Sequence, residues 1–171
     1  MRVQALVVAA LVLAASLTSP DGHSVGVQAP GLTAQTVGVR TGWLPLDRAI
    51  ARIPSYDPAV AHWHVEDTGS WGAADLDTGD IYIAPRAPLD KLVSIVLHEY
   101  AHALAGYLYG GRWPAQAAAD RYFGQRGEYG LEVEADCMAR VQGATWTWYT
   151  PCRNSHWRDG ARLLLNHHLL P

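Results

Sequence analysis

The stretch LDKLVSIVLHEYAHALAGYLY, residues 89–109, decides how the rest of the chain is read. It lies between Pro88 and Gly110-Gly111, and these boundaries predict one long helix from Leu89 to Tyr109. Inside it His98-Glu99-Tyr100-Ala101-His102 has the form HExxH. Two helical residues four apart project about 40° from one another, one turn along, so both imidazoles reach a common point. Glu99 leaves the helix at another angle, near that point without being aimed at it. A general base stands there to take a proton from water activated by a metal ion. Ile95, Val96 and Leu97 before the motif, and Ala103 and Leu104 after it, are uncharged, as expected of a helix buried beneath a cleft. The competing reading is a core helix holding two satisfied histidines and a glutamate. By chance the pattern arises on the order of one per cent of the time in such a chain.

A catalytic zinc takes three protein ligands and keeps one position open. The metzincin pattern demands Gly and His at fixed steps after the second histidine; Ala105 and Leu108 stand there, which excludes that class. Thirty residues downstream, a predicted helix from Tyr129 to Gln142 carries Glu132-Val133-Glu134-Ala135-Asp136. Glu132 is the candidate third ligand. Asp136, one turn on, is placed to accept the ring N–H of a ligating histidine. Glu134 sits about 200° around the helix from Glu132 and cannot bind the same ion, so its loss is expected to matter little. Ala135 and Ala139 form a small-residue stripe that lets this helix approach the HExxH helix closely. The alternative is an amphipathic helix whose acidic outer face is Glu128, Glu132, Glu134 and Asp136.

At these residues the chain resembles a known family. HEYAH followed by EVEADCMA is similar to the gluzincins, glutamate-zincin metallopeptidases with HExxH on one helix and a glutamate ligand in an ExxAD motif on a later one. Within that clan it most resembles minimal bacterial secreted zincin-like neutral zinc metallopeptidases, over roughly Ala74 to Val141. The resemblance implies one zinc ion held by His98, His102 and Glu132, with Glu99 as base, Asp136 orienting a histidine, and a peptide or protein substrate. It also implies that Asp77 to Ala84 resembles the edge strand that binds extended substrate above the active helix. The tyrosine or histidine that stabilises the oxyanion in that family has no motif here, and Tyr149, His156 and Tyr129 are the candidates.

Around this core the elements are short. Trp43 to Ile53 has helical spacing and stops at Pro54. Ala61 to Glu66 and Trp71 to Leu76 read as extended, and Asp77-Thr78-Gly79-Asp80 turns the second of them into a strand from Ile81 to Ala84. Helices are predicted over Pro114 to Phe123 and His156 to Leu169 as well. A small antiparallel sheet followed by helices is an α+β plan, with the HExxH helix at the centre of residues 43–171.

Arg2 and the apolar run Val3 to Leu17 predict a signal peptide within residues 1–29, too short for a spanning helix, and residues 30–42 a linker. The domain is therefore expected outside the cytoplasm, without stable membrane insertion once the signal is cleaved. An even pair of cysteines, Cys137 and Cys152, fits export as a disulfide worth about 3 kcal/mol, against buried thiols or metal ligands. A length of 171 residues with 49% hydrophobic and 17% charged residues excludes a disordered chain. A formal charge of −3 with a single lysine, Lys91, provides no basic footprint for nucleic acid. Eight histidines and seven tryptophans are high counts that invite a search for a metal site. His62 and His64 share a strand face and read as a second metal pair or as solvent-facing decoration; His167 and His168 are expected to be exposed. Trp146, Trp148 and Trp157 either line a pocket or fill the core. The leading expectation is a secreted zinc-dependent peptidase. The alternatives are a non-catalytic zinc-holding binding or regulatory module, and an amidase acting on cell-wall peptides.

Overall fold

A computed structural model describes residues 39–171, which fall within one compact unit. The expected signal peptide and most of the linker lie outside the described residues. The element order is α1 (Leu44–Ile50), β1 (His62–Val65), β2 (Gly72–Ala74), β3 (Asp80–Ile83), α2 (Leu92–Tyr109), α3 (Arg112–Phe123), α4 (Glu128–Val141) and α5 (Ser155–Leu165). The α+β plan holds: a three-stranded sheet followed by helices.

The sheet is mixed, not antiparallel as expected. Its strand order is β1-β3-β2, with β2 antiparallel to β3 and β1 parallel to it, His62 facing Asp80 and Val65 facing Ile83. After β1 the chain crosses to the far side and lays down β2. It then returns through a tight turn, so β3 runs between the two in the direction of β1. The turn is held by Asp75, whose Oδ1 accepts the N–H groups of Asp77 and Thr78 at 2.8 and 3.3 Å. Ile81 and Ile83 on the central strand are wholly buried.

Helix α2 packs against β2, β3 and each of the other four helices. Burial on almost every side explains its nearly uniform hydrophobicity, and why only the HExxH spacing distinguishes its faces. It starts at Leu92 rather than Leu89, because Pro88 to Leu92 form turns first. Gly106 lets it meet the β2–β3 turn: a Cβ there would lie 2.1 Å from the Leu76 carbonyl oxygen. At its C-terminus Gly110 adopts φ +74°, a left-handed cap that needs glycine. Helix α1 ends at Ile50, three residues before its expected stop, and residues 51–53 close in a turn. Helix α5 begins at Ser155, where the Asn154 side chain accepts the His156 N–H at 3.0 Å. It stops at Leu165 and not at Leu169, as the chain turns back with His167 at φ +60° and Leu170 donates its N–H to the Tyr109 hydroxyl. The expected disulfide is present: Cys137 in α4 is bonded to Cys152, and both are buried. Among the described residues no helix is long and apolar enough to cross a membrane.

Candidate metal centre

Helices α2 and α4 bring three of the predicted residues together. His98 and His102 lie one turn apart on α2, and α4 packs across them with its small residues Ala135 and Ala139 fully buried. Glu132 Oε2 is 3.0 Å from His98 Nε2 and 3.4 Å from His102 Nε2, and the two Nε2 atoms are 3.1 Å apart. One ligand atom from each of the three residues falls within 4.8 Å of the others. Two imidazoles and one carboxylate so placed can hold a metal ion, and a fourth position would face the cleft.

Asp136 occupies the position expected for an orienting carboxylate, and it does more than was expected. Its Oδ1 accepts the His98 Nδ1–H at 2.9 Å, which leaves Nε2 turned toward Glu132 and His102. Its Oδ2 accepts the backbone N–H groups of Tyr149 and Thr150 at 2.6 and 2.8 Å. One buried carboxylate therefore joins a candidate ligand to the loop on the other side of the cleft. His102 has no such support, since its Nδ1 is buried without a hydrogen-bond partner among the described residues.

The electrostatics follow from this crowding. Burial works against a charged His98, but the hydrogen bonds to Asp136 and Glu132 outweigh it and push its pKa up to about 10. Burial likewise opposes an ionised Glu132, yet the bonds from His102 and His98 hold its carboxyl far below the usual range. The surroundings of the cluster thus favour positive charge at its centre. Glu99 is buried beside the three, and burial raises its pKa despite the opposing pull of His98 and His102. It sits beneath β2: a Cβ on Gly72 would lie 2.5 Å from Glu99 Oε1, so any larger residue at that position would displace the Glu99 side chain.

A cleft of about 610 Å³ opens over these residues, walled by β2, α2, α4 and the loop at 146–149. The strand on its rim is β2, which corrects the expectation for Asp77 to Ala84: β3 is the central strand and has no free edge. Trp71 O and Asp75 N bond inward to Ala84 and Asp80, so the alternation of the ladder turns the amides of Gly72 and Ala74 outward. Of the three oxyanion candidates only Tyr149 lines the cleft, its ring 6.2 Å from and nearly parallel to that of His98. Tyr129 packs edge-on against Tyr149, and His156 stacks on Tyr122 at 4.1 Å; neither lines the cleft. His64 pairs with Asp80 at 2.8 Å and stacks on Tyr82, and His62, His167 and His168 are exposed. Among the described residues no metal-ligand group includes them.

Glu134 keeps to the expected face of the helix, but that face is not exposed. It does face away from Glu132, but into the interior: it is 1% exposed, and its Oε2 has no hydrogen-bond partner among the described residues. Helix α4 is covered by α2, α3 and α5, so it has no acidic outer face. Burial alone pushes the Glu134 carboxyl up to about 8. Gly72 and the second pair of bonds to Asp136 were not foreseen; a glycine opening a three-residue strand was the only available signal for the first.

No known protein family, curated protein or solved structure matches the chain.

Proposed function

We propose that the chain is a zincin, a metal-dependent hydrolase built on the HExxH helix α2. More particularly, it is a secreted zinc peptidase of the gluzincin type. The observation that carries this reading is the convergence of His98, His102 and Glu132 beside Glu99, beneath the free edge of β2. The donor set of two imidazoles, one carboxylate and an open position suits zinc. When bound there, zinc polarises a carbonyl and makes water acidic enough to be deprotonated near neutral pH.

The remaining steps belong to the chain. The outward amides of Gly72 and Ala74 pair with an extended peptide and lay its backbone along the cleft. Glu99 takes a proton from the attacking water and passes it to the leaving amine; a carboxyl raised by burial is suited to both transfers. The Tyr149 hydroxyl donates to the oxyanion that forms on the scissile carbonyl. Asp136 holds His98 in the tautomer that directs Nε2 at the ion. A buried disulfide supports a site of action outside the cytoplasm. The test is incubation of the zinc-loaded protein with unfolded casein, with and without chelator. Cleavage that the chelator abolishes and zinc restores is expected; cleavage indifferent to chelator contradicts the proposal.

A further inference from the structure

Three tryptophans meet at one end of the cleft. Trp71 precedes β2, while Trp146 and Trp148 lie on the loop after α4. Their ring centroids are 5.6–6.0 Å apart, at interplanar angles of 53°, 79° and 84°. Rings set at such angles form a corner, not the flat platform on which a sugar stacks. The loop that carries two of the rings is tied to the body at several points. Trp146 N–H bonds to Ser94 Oγ at 3.2 Å, Tyr149 and Thr150 are held by Asp136, and Cys152 is bonded to Cys137. Trp148 nevertheless remains 66% exposed, on the wall of the cleft. A large apolar ring held open to water by a fixed loop is a surface kept for contact.

Charge narrows what the corner accepts. Lys91 Nζ lies 5.1 Å from the Trp71 ring and 4.7 Å from the Trp146 ring, so a cation already sits on two of the three rings. A second cation there would be repelled by Lys91, which already occupies the faces of two rings. Arg86, also on the cleft wall, is a further cation, and the carboxylate beside it, Asp67, is already paired with it.

We infer that Trp71, Trp146 and Trp148 form a subsite for a large neutral apolar side chain, aromatic above all, of an extended peptide paired with β2. This rests on reading the cleft as a peptide site. Trp71 lies next to Gly72, the first residue of the free edge, so a peptide in register there passes the corner with one of its side chains.

The test separates binding from cleavage. Zinc-loaded Glu99→Gln protein is titrated, by fluorescence anisotropy, with labelled short alanine-serine peptides in which one test residue is Phe, Leu, Ala or Lys, moved one position at a time. At one register Phe is expected to bind about tenfold or more tighter than Ala, with Leu between and Lys weakest. Trp148→Ala, at an exposed position, should reduce Phe to the affinity of Ala. Lys91→Met should relieve the penalty on Lys while leaving Phe preferred, which a misfolded protein cannot mimic. Equal affinities at every register, or a Phe preference that survives Trp148→Ala, overturn the subsite. So does binding of an N-acetylglucosamine oligomer that is lost in Trp148→Ala, because it would make the corner a sugar site. Casein cleavage by the unaltered protein, measured in parallel, keeps the two proposals apart. Cleavage without Phe preference overturns the subsite and leaves the peptidase, and Phe-selective binding without cleavage does the reverse.

Discussion

The two faces of α4 each carry a fully buried carboxylate, Asp136 on one and Glu134 on the other, in opposite surroundings. On the cleft face Asp136 accepts three hydrogen bonds and Glu132 lies against two imidazoles, which hold its carboxyl low. On the opposite face Glu134 is as deeply buried as Asp136, and with an unpartnered Oε2 its carboxyl rises to about 8. Burial is common to both faces, so burial does not make the site. What separates them is the set of donors that α2 and the loop after α4 aim at one face only.

Substitutions can break that contrast, and metal affinity ranks them. Glu132→Ala removes the proposed carboxylate ligand and should weaken zinc binding by more than about 100-fold in competition with a chelator, beyond the usual penalty for an outer partner. Asp136→Asn keeps the three ligands and should cost about 10- to 100-fold. If Asp136→Asn proved the more damaging of the two, the assignment of ligand and orienting residue would be reversed. Replacing both cysteines by serine should cost about 3 kcal/mol of stability, measured by denaturant unfolding, because the bond closes a loop over 15 residues. Its effect on metal affinity should be smaller than that of Asp136→Asn, since the bonds from Asp136 to Tyr149 and Thr150 remain. Zinc affinity equal to that of Asp136→Asn would show that the disulfide, not Asp136, sets the loop.

Glu134→Gln should leave zinc affinity unchanged and act on stability alone. The native carboxyl keeps its proton up to about 8, while in the unfolded chain it releases it near 4.5. Between those values the native state binds more protons, so stability falls as pH rises, by up to about 1.4 kcal/mol per pH unit. Below 4.5 this penalty is absent, and above 8 it is complete. The glutamine variant should flatten that part of the profile and be the more stable protein at neutral pH. An unchanged pH profile would mean that Glu134 is ionised and paired in the fold.

Much of this was legible in the sequence, for a specific reason. The HExxH spacing and the Glu132–Asp136 step are local, and helical geometry alone fixes where such residues point. The pairing of Cys137 with Cys152 was readable because the chain has only two cysteines. The sheet was not readable. Its rim strand is Gly72–Ala74, three small residues without alternation, and only the passage of the chain around β3 makes β1 parallel. The inward face of Glu134 was hidden because a helix packed on several sides offers no polar stripe. The Trp146–Thr150 loop was equally opaque, because side-chain bonds to Ser94 and Asp136 shape it instead of any backbone period.

The most direct test of the central claim compares the unaltered protein with Glu99→Gln, measuring zinc content and casein cleavage on the same preparations. Glu99 lies beside the three residues that could hold a metal ion and is not one of them, so on the proposed reading both proteins should hold about one zinc per chain. Only the unaltered protein should cleave casein. A Glu99→Gln protein that cleaves as fast as the unaltered one, or one that has lost its zinc, would contradict the account.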